Sequence, residues 1–187
     1  RKVLPWNEAY DVEVLDGTGR VPGPDELAHL EALYRNVKAR NLGLNTFELP
    51  PGFFARLLET PGWEIVLFHA RPAVGGEAGA LPVGFSANFA GADHYVPMVA
   101  GLDYRFVTEH GLYRQLLWQN LQRARELGAK VSYSGFGAPI EKKRLGARPR
   151  RLCGYLQAAD LYQHQLLEQL SMTVRVEAAP RRPQPQR

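Results

Sequence analysis

Hydrophobic and polar positions along the first two thirds of the chain predict four strands. The segment "YDVEVL" (10–15) alternates with the two-residue period of a half-buried strand, and "WEIVLFHA" (63–70) is a short apolar run of strand length. Two more strands are predicted for "PVGFSANFA" (82–90) and "DHYVPMVAGLDY" (93–104). Pro97 interrupts the last of these, which indicates an edge strand, a bulge or a splayed pair.

A 3.6-residue apolar period predicts helices between these strands. Asp25 is interpreted as the cap of a helix that ends near Gly43, and the Pro-Pro pair at 50–51 opens a shorter one. The clearest helix covers 112–127, where leucines recur on one face, and Gly128 ends it.

The pattern continues as strand, short helix and strand. "KVSYSGF" (130–136) is predicted to be a strand, and a short helix runs from Pro139 to Gly146. The last strand covers 150–158, and 160–171 is interpreted as a helix. The order β-α-α-β-β-β-α-β-α-β predicts an α/β (α+β) fold with a mixed central sheet, because a helix between two strands makes a parallel crossover.

Length and charge predict one domain between two irregular ends. Residues 1–8 are interpreted as a linker, 9–171 as a single domain and 172–187 as a disordered basic tail. The formal net charge is +4, and 175–187 supply +3 of it through four arginines and one glutamate. The remaining body is near neutral, which argues against nucleic acid as a partner.

The sequence argues against disulfide-rich, metal-binding and membrane-spanning proteins. A single cysteine, Cys153, does not make a disulfide framework, and no HxH, HxxxH or CxxC spacing predicts a metal site. No apolar run approaches 18 residues, and no signal peptide is visible, so we expect a cytoplasmic protein without a membrane span. Because the first residue is Arg1, we expect a processed chain or a piece of a longer one.

Three segments carry a resemblance to a known family. They are "LNTFELPPGFF", "YRQLLWQNLQRARELGAK" and "GFGAPIEKKRLGA". With the element order, they make 10–158 similar to the GNAT acyltransferase fold, in the branch related to Fem-type peptidyltransferases and peptidoglycan biosynthesis/recognition proteins. Domains of this look also occur fused to pyridoxal-phosphate-dependent enzymes of the α-oxoamine synthase type.

The resemblance implies acyl transfer from acyl-CoA, or acetyl-CoA, to a small-molecule amine, without a metal. In such folds two central strands splay, the donor's pantetheine adds in the gap like a strand, and its pyrophosphate caps the helix that follows. Helix N-termini suit anions because their first N–H groups are free and the helix dipole is positive there.

Two departures from the family pattern concern the donor. Of the usual (Arg/Gln)-x-x-Gly-x-(Gly/Ala) motif only Gly111 matches, because Tyr113 replaces the last small residue and Glu109 adds negative charge. Many relatives place a proton-donating tyrosine five residues before the position of Ala147. This chain has Lys142 there.

Candidate site residues follow from the resemblance and the chemistry of the side chains. For catalysis we single out Asp93 and His94, as a base or as a polar turn, and Lys142, as a thiolate or phosphate partner or as part of a solvated face. Candidates for donor binding are Tyr104, Gly111, Tyr113, Arg114 and Ser134.

Two further polar residues lie on the strand 63–70. Glu64 and His69 are interpreted as sharing the face opposite Ile65 and Leu67. That face looks either into a cleft or into solvent.

Three functions are consistent with these observations. The first is an N-acyltransferase in which the amine attacks an acyl-CoA or another carrier thioester directly. The second is a non-catalytic GNAT-like module that binds a ligand or docks a partner domain, which the two departures favour. The third is an aminoacyl transferase that uses aminoacyl-tRNA.

Overall fold

The structure is a computed structural model that describes residues 6–40, 47–135, 137–150 and 160–173. The chain divides into two compact units between Arg148 and Pro149, and each is described by itself. The second unit contains one described helix, α6 (Leu161–Thr173).

A five-stranded sheet organises the first unit, with its strands in the order β1-β2-β3-β4-β5. The strands are β1 (Tyr10–Leu15), β2 (Trp63–Ala70), β3 (Gly84–Ala90), β4 (His94–Leu102) and β5 (Val131–Ser132). The first four are antiparallel, whereas β5 lies parallel to β4. The mixed α/β class is therefore confirmed, including the parallel pair that the helical crossover predicts.

Five α-helices connect and cover these strands in the described part of the unit. They are α1 (Pro24–Arg40), α2 (Phe53–Leu58), α3 (Tyr104–His110), α4 (Leu112–Glu126) and α5 (Pro139–Arg144). Two of the three glycines that were predicted near helix ends, Gly128 and Gly146, follow α4 and α5 in the left-handed conformation, and the third, Gly43, lies outside the described residues.

The boundaries of α1 and β4 correct two predictions. Asp25 does not cap α1, because the first helical bond runs from the Leu27 N–H to the Gly23 carbonyl, which puts Asp25 in the first turn. The strand predicted for 93–104 ends at Leu102, where the Asp103 carboxylate accepts from the Arg105 N–H and starts α3. The predicted last strand, 150–158, lies almost wholly outside the described residues.

Each face of the sheet packs against its own helices. One cluster joins α1 and α2 to the face that carries Ile65, Leu67 and Phe85. The other joins the starts of α3 and α4 to the face that carries Val66 and Phe68. Since side chains on a strand alternate between faces, neighbouring residues of β2 belong to opposite cores.

Candidate functional site

The pairing between β4 and β5 is short. Only His94 with Val131 and Tyr95 with Ser132 are register partners, and the last bond runs 2.9 Å from the Tyr133 N–H to the Tyr95 carbonyl. Beyond these residues β4 continues to Leu102, paired with β3 alone among the described strands. We call the opening that follows Tyr95 on one side and Tyr133 on the other the fork.

A β-bulge lies on β4 just inside the fork. Asn88 pairs with Pro97 and Ala87 with Val99, so Met98 has no partner on β3, and its residue surface is 62% exposed. The bulge confirms the interruption predicted from Pro97. Backbone groups of a strand point alternately to its two sides, so part of the β4 backbone from Val96 to Leu102 faces the fork.

A buried polar network lies on the α4 face of the sheet, behind the fork. Its members come from β2, β3, β4 and α4: Glu64, Ser86, Asn88, Tyr95, Asn120 and Arg123. The Tyr95 hydroxyl donates to the Glu64 carboxylate at 2.7 Å and accepts from the Asn88 amide at 2.7 Å. Burial, and then the Glu64 carboxylate, raises the pKa of Tyr95, so this hydroxyl stays protonated.

An ion pair anchors the network to α4. The Arg123 guanidinium donates to both oxygens of Glu64, with the shortest distance 2.9 Å, and Glu64 is only 3% exposed. Because Tyr95 is the last residue of β4 that β5 pairs with, the network holds the base of the fork in place from behind.

Glu64 and His69 do not share a face, which corrects the interpretation made from the sequence. Five residues separate them, so strand alternation places them on opposite sides, with His69 on the side of Ile65 and Leu67. His69 is half-buried near the Ala80 carbonyl and Glu13. Glu64 looks neither into a cleft nor into solvent, because the network encloses it.

Asp93 and His94 lie at the base of the fork. The Asp93 carboxylate is exposed and forms an ion pair with Lys130 at 2.9 Å, and the Asp93 carbonyl accepts from the Lys130 and Val131 N–H groups. The His94 ring stacks on Tyr133, with ring centroids 5.5 Å apart and an angle of 14° between the planes. Their role as a base remains a prediction.

Tyr104 is the first residue of α3, and Gly111 lies between α3 and α4. Gly111 has φ 62°, and a Cβ there would lie 2.7 Å from the Trp6 ring, so Trp6 packs directly on the start of α4. Trp6 also meets His110 edge-on at 5.4 Å. The Tyr104 ring holds the Arg40 guanidinium over its face at 4.0 Å.

The first turn of α4 contacts α5. Arg114 donates to Glu141 at 3.0 Å, and Glu141 also accepts from Arg144 at 2.5 Å. Tyr113 is half-buried beside them, and burial, followed by the charge of Glu141, raises its pKa. The structure therefore brings Tyr113 and Arg114 together with the helix that carries Lys142.

Lys142 points toward the chain that leaves β5. It is 9% exposed, and its ammonium donates to the Gly135 carbonyl at 3.2 Å. Burial lowers the pKa of Lys142. Ser134 precedes Gly135 and is half-buried, so both predicted residues belong to the β5 side of the fork.

Sequence reasoning missed several residues that shape this site. Trp6 was assigned to a linker, α3 was not predicted, and Ser86, Asn88 and Asn120 were not singled out. A partial signal for α3 existed in Asp103, a residue type that favours helix caps. Nothing in the sequence indicated the network, since its members are scattered over sixty positions.

The described residues contain neither a membrane-spanning helix nor a metal-binding cluster. None of the helices among them has the length and apolar character needed to cross a membrane. No group of three His, Cys, Asp or Glu side chains in the described ranges is arranged to hold a metal ion.

The fold and fork define an acetyltransferase-like domain of the GNAT type. The family model described as "Acetyltransferase (GNAT) domain" matches residues 7–143, which is well over half of the chain. The chain therefore belongs to the GNAT acetyltransferase family.

Solved structures of similar fold cover most of the chain at low identity. An aminoglycoside acetyltransferase from an uncultured soil metagenomic sample is 12% identical, with a TM-score of 0.53, over 81% of this chain and 98% of that one. A ribosomal-protein-alanine N-acetyltransferase from Brucella melitensis biovar Abortus 2308 is 17% identical, with a TM-score of 0.53, over 82% and 99%. An acetyltransferase from Trypanosoma brucei is 18% identical, with a TM-score of 0.51, over 79% and 100%.

At these identities the similarity shows a shared fold and not a shared substrate. No match was found among curated proteins.

Proposed function

We propose that the protein transfers an acyl group from acyl-CoA, or from another carrier thioester, to a primary amine. The observation that carries this proposal is the fork, where β4 keeps an edge that no described strand pairs with. An extended pantetheine arm fits such an edge because its two amide groups offer N–H donors and carbonyl acceptors as an added strand does.

The reaction requires no covalent intermediate on the protein. The amine nitrogen attacks the thioester carbonyl carbon, the C–S bond breaks, the nitrogen loses one proton and the thiolate gains one. Backbone N–H groups of β4 near Met98 stabilise the negative charge that develops on the carbonyl oxygen. Holding both substrates at the fork supplies much of the rate.

Proton transfer is assigned to groups on the two sides of the fork. His94, with Asp93 as its neighbour in sequence, accepts the proton of the attacking amine, either directly or through water. Lys142 protonates or stabilises the leaving thiolate. Its lowered pKa makes the ammonium a better acid than an exposed lysine.

The anionic end of the donor is assigned to the contact between α4 and α5. Arg114 and Arg144 meet there around the carboxylate of Glu141. Tyr104, Gly111, Tyr113 and Ser134 complete the donor site in this proposal. Guanidinium groups suit phosphate because they offer paired N–H donors.

The first test is thermal denaturation with free CoA, acetyl-CoA and longer acyl-CoAs. A ligand with a Kd of about 10 μM, present at about 1 mM, stabilises the folded state by about 2.7 kcal/mol. Arg114→Gln is expected to reduce this stabilisation, whereas Arg125→Gln, at the exposed end of the same helix, is not. Absence of a shift with every CoA species contradicts the CoA form of the proposal.

Turnover separates the roles of the cations on α5. Lys142→Met is expected to lower kcat by 10-fold or more while acyl-CoA still binds. Lys143→Met changes the exposed neighbour on the same helix and serves as the matched control. Equal loss of binding and turnover would instead assign Lys142 to phosphate.

A non-catalytic GNAT-like module is the second candidate. The packing of Trp6 on Gly111 favours it, because an indole covers the helix start where the family binds pyrophosphate. Binding of CoA without amide formation from any amine would support this candidate.

Four finer expectations remain predictions of the sequence. They are the Fem-type branch, a covalently linked pyridoxal-phosphate domain, a cytoplasmic location and aminoacyl-tRNA as donor. The family model supports the GNAT family, the structures named above support the fold, and neither supports any of these four. Salt-sensitive binding of tRNA would support the last one.

A further inference from the structure

A row of aromatic and apolar side chains crosses the sheet on the face opposite the buried network. Register pairs Trp63 with Phe89 and Phe89 with Val96, so these three share one face. His94 lies two residues from Val96 on the same face and stacks on Tyr133. We call these five residues the aromatic strip.

The strip is partly open to solvent and firmly held. The residue surface of Tyr133 is 42% exposed, and Trp63, Phe89 and Val96 are half-buried. Trp63 and Phe89 meet edge-on at 5.5 Å, and a Cβ on Gly62 would lie 3.0 Å from the Phe89 ring. The strip is therefore a fixed surface rather than a set of loose side chains.

The strip begins at the fork and extends away from it. His94 and Tyr133 lie at the base of the fork, on either side of the short β4–β5 pairing. Three strand spacings separate Tyr133 from Trp63, a length of about 14 Å. A molecule on the strip can thus place one end at the reacting carbonyl and its body along the rings.

The carboxylates next to the strip in sequence are paired with cations. Asp93, beside His94, lies 2.9 Å from Lys130. Glu64, beside Trp63, lies 2.9 Å from Arg123 on the opposite face. A polycationic ligand on the strip would therefore have to displace Lys130 to pair with Asp93, and it could not reach Glu64, which the network encloses on the other face.

We propose that the aromatic strip binds the acceptor, and that the acceptor is a single primary amine on an aromatic or aliphatic body. This inference rests on the proposed function, since it names the substrate class of the same site. Trp63, Phe89 and Val96 contact the body, and Tyr133 packs beside the carbon that bears the amine. The amine then lies next to His94, the group assigned to take its proton.

The test compares tryptamine with kanamycin, a polycationic amine, using acetyl-CoA as donor and the whole chain. Turnover is followed by CoA release, and amine binding without donor is followed by calorimetry. We expect kcat/KM for tryptamine to exceed that for kanamycin by at least about 10-fold. Tyr133→Ser should raise the KM and Kd for tryptamine about 3- to 10-fold, the range of one aromatic contact, without changing the KM for acetyl-CoA.

Two further variants sharpen the comparison. Trp63→Leu should also weaken tryptamine binding, and circular dichroism checks that it folds. Leu127→Ser changes an exposed side chain, 44% exposed, at the end of α4 on the other face of the sheet, and should leave both amines unaffected. Because Tyr133 is itself exposed, the test does not depend on a core substitution.

Each outcome bears on the inference separately from the proposed function. Turnover that favours kanamycin, or a Tyr133→Ser protein with unchanged tryptamine KM and Kd, overturns the strip as acceptor surface while acyl transfer stands. Binding of tryptamine that Tyr133→Ser weakens, without turnover of any amine, supports the strip and overturns the proposed function. Absence of both binding and turnover overturns both.

Discussion

Lys142 shows how the fold buries one residue of a charged run while its neighbours stay exposed. Three cations follow one another in α5, and only Lys142 is buried, with its ammonium on the Gly135 carbonyl. Lys143 and Arg144 remain exposed. The helical rotation of about 100° per residue explains why neighbours in the run meet different surroundings.

The lowered pKa of Lys142 predicts how stability depends on pH. Between the lowered folded-state pKa and the ordinary value of 10.5, the unfolded chain binds more protons than the folded one. The contribution of Lys142 to the free energy of unfolding should therefore rise with pH across this window. Below the folded-state pKa it should stay at its least favourable value.

Urea denaturation at several pH values from neutral to about 10 measures this contribution as wild type minus Lys142→Met. The difference should move in favour of wild type as pH rises. Lys143→Met controls for the loss of a lysine from the same helix. A Lys142 difference that is flat, or that falls with rising pH, contradicts the burial of its charged form.

At the scale of elements, the contact between α4 and the sheet depends on one ion pair as well as on leucines. Arg123 of α4 holds the buried carboxylate of Glu64 on β2, and Tyr95 of β4 donates to the same carboxylate. Removing the Arg123 guanidinium leaves the Glu64 carboxylate charged and buried, without water to replace its partner. The pair therefore orients α4 over the strands that form the fork.

Arg123→Met is expected to lower the free energy of unfolding by about 3 kcal/mol at neutral pH, because the Glu64 carboxylate loses its partner. The double variant Glu64→Gln with Arg123→Met should recover part of this loss. Arg125→Met, an exposed arginine of the same helix, should change stability by less than about 0.5 kcal/mol. Denaturation of the four proteins in urea gives the answer, and an effect of Arg123→Met as small as that of Arg125→Met would refute the role.

Elements with a clear period were predictable, whereas contacts between distant residues were not. The strands at 10–15 and 63–70 have the predicted bounds because their apolar pattern and flanking turns agree. α3 was missed because "YRFVTEH" lacks an apolar stripe and continues a strand-like segment. The buried network depends on strand register, which brings Ser86 and Asn88 within hydrogen-bond distance of Asn120. No local sequence pattern predicts this register.

The site was predictable only in part for the same reason. The resemblance located α4, α5 and the strand that precedes α5. The two helices do meet, through the hydrogen bond from Arg114 to Glu141. The resemblance gave no sign that Trp6 would cover Gly111, since that contact joins residues more than one hundred positions apart. Side-chain partners of this kind follow from the tertiary fold rather than from sequence spacing.

At the scale of the whole molecule, the main feature of the first unit is a continuous sheet that opens at the fork between β4 and β5. Four antiparallel strands are paired along their length, and the fifth leaves after two residues. In the proposed function, a thioester donor adds to β4 in this opening. The aromatic strip then gives the acceptor a surface on one face, while the buried network closes the other.

Hydrogen–deuterium exchange with and without a saturating, non-transferable acyl-CoA analogue shows whether the donor lies against this edge of β4. Amide hydrogens in peptides covering Val96–Leu102 should exchange at least about 10-fold more slowly when the analogue is bound, because the donor shields and pairs with that edge. Peptides from β1 (Tyr10–Leu15), at the far side of the sheet, should not change. Saturated binding with unchanged exchange at Val96–Leu102 would contradict the claim that the fork holds the donor.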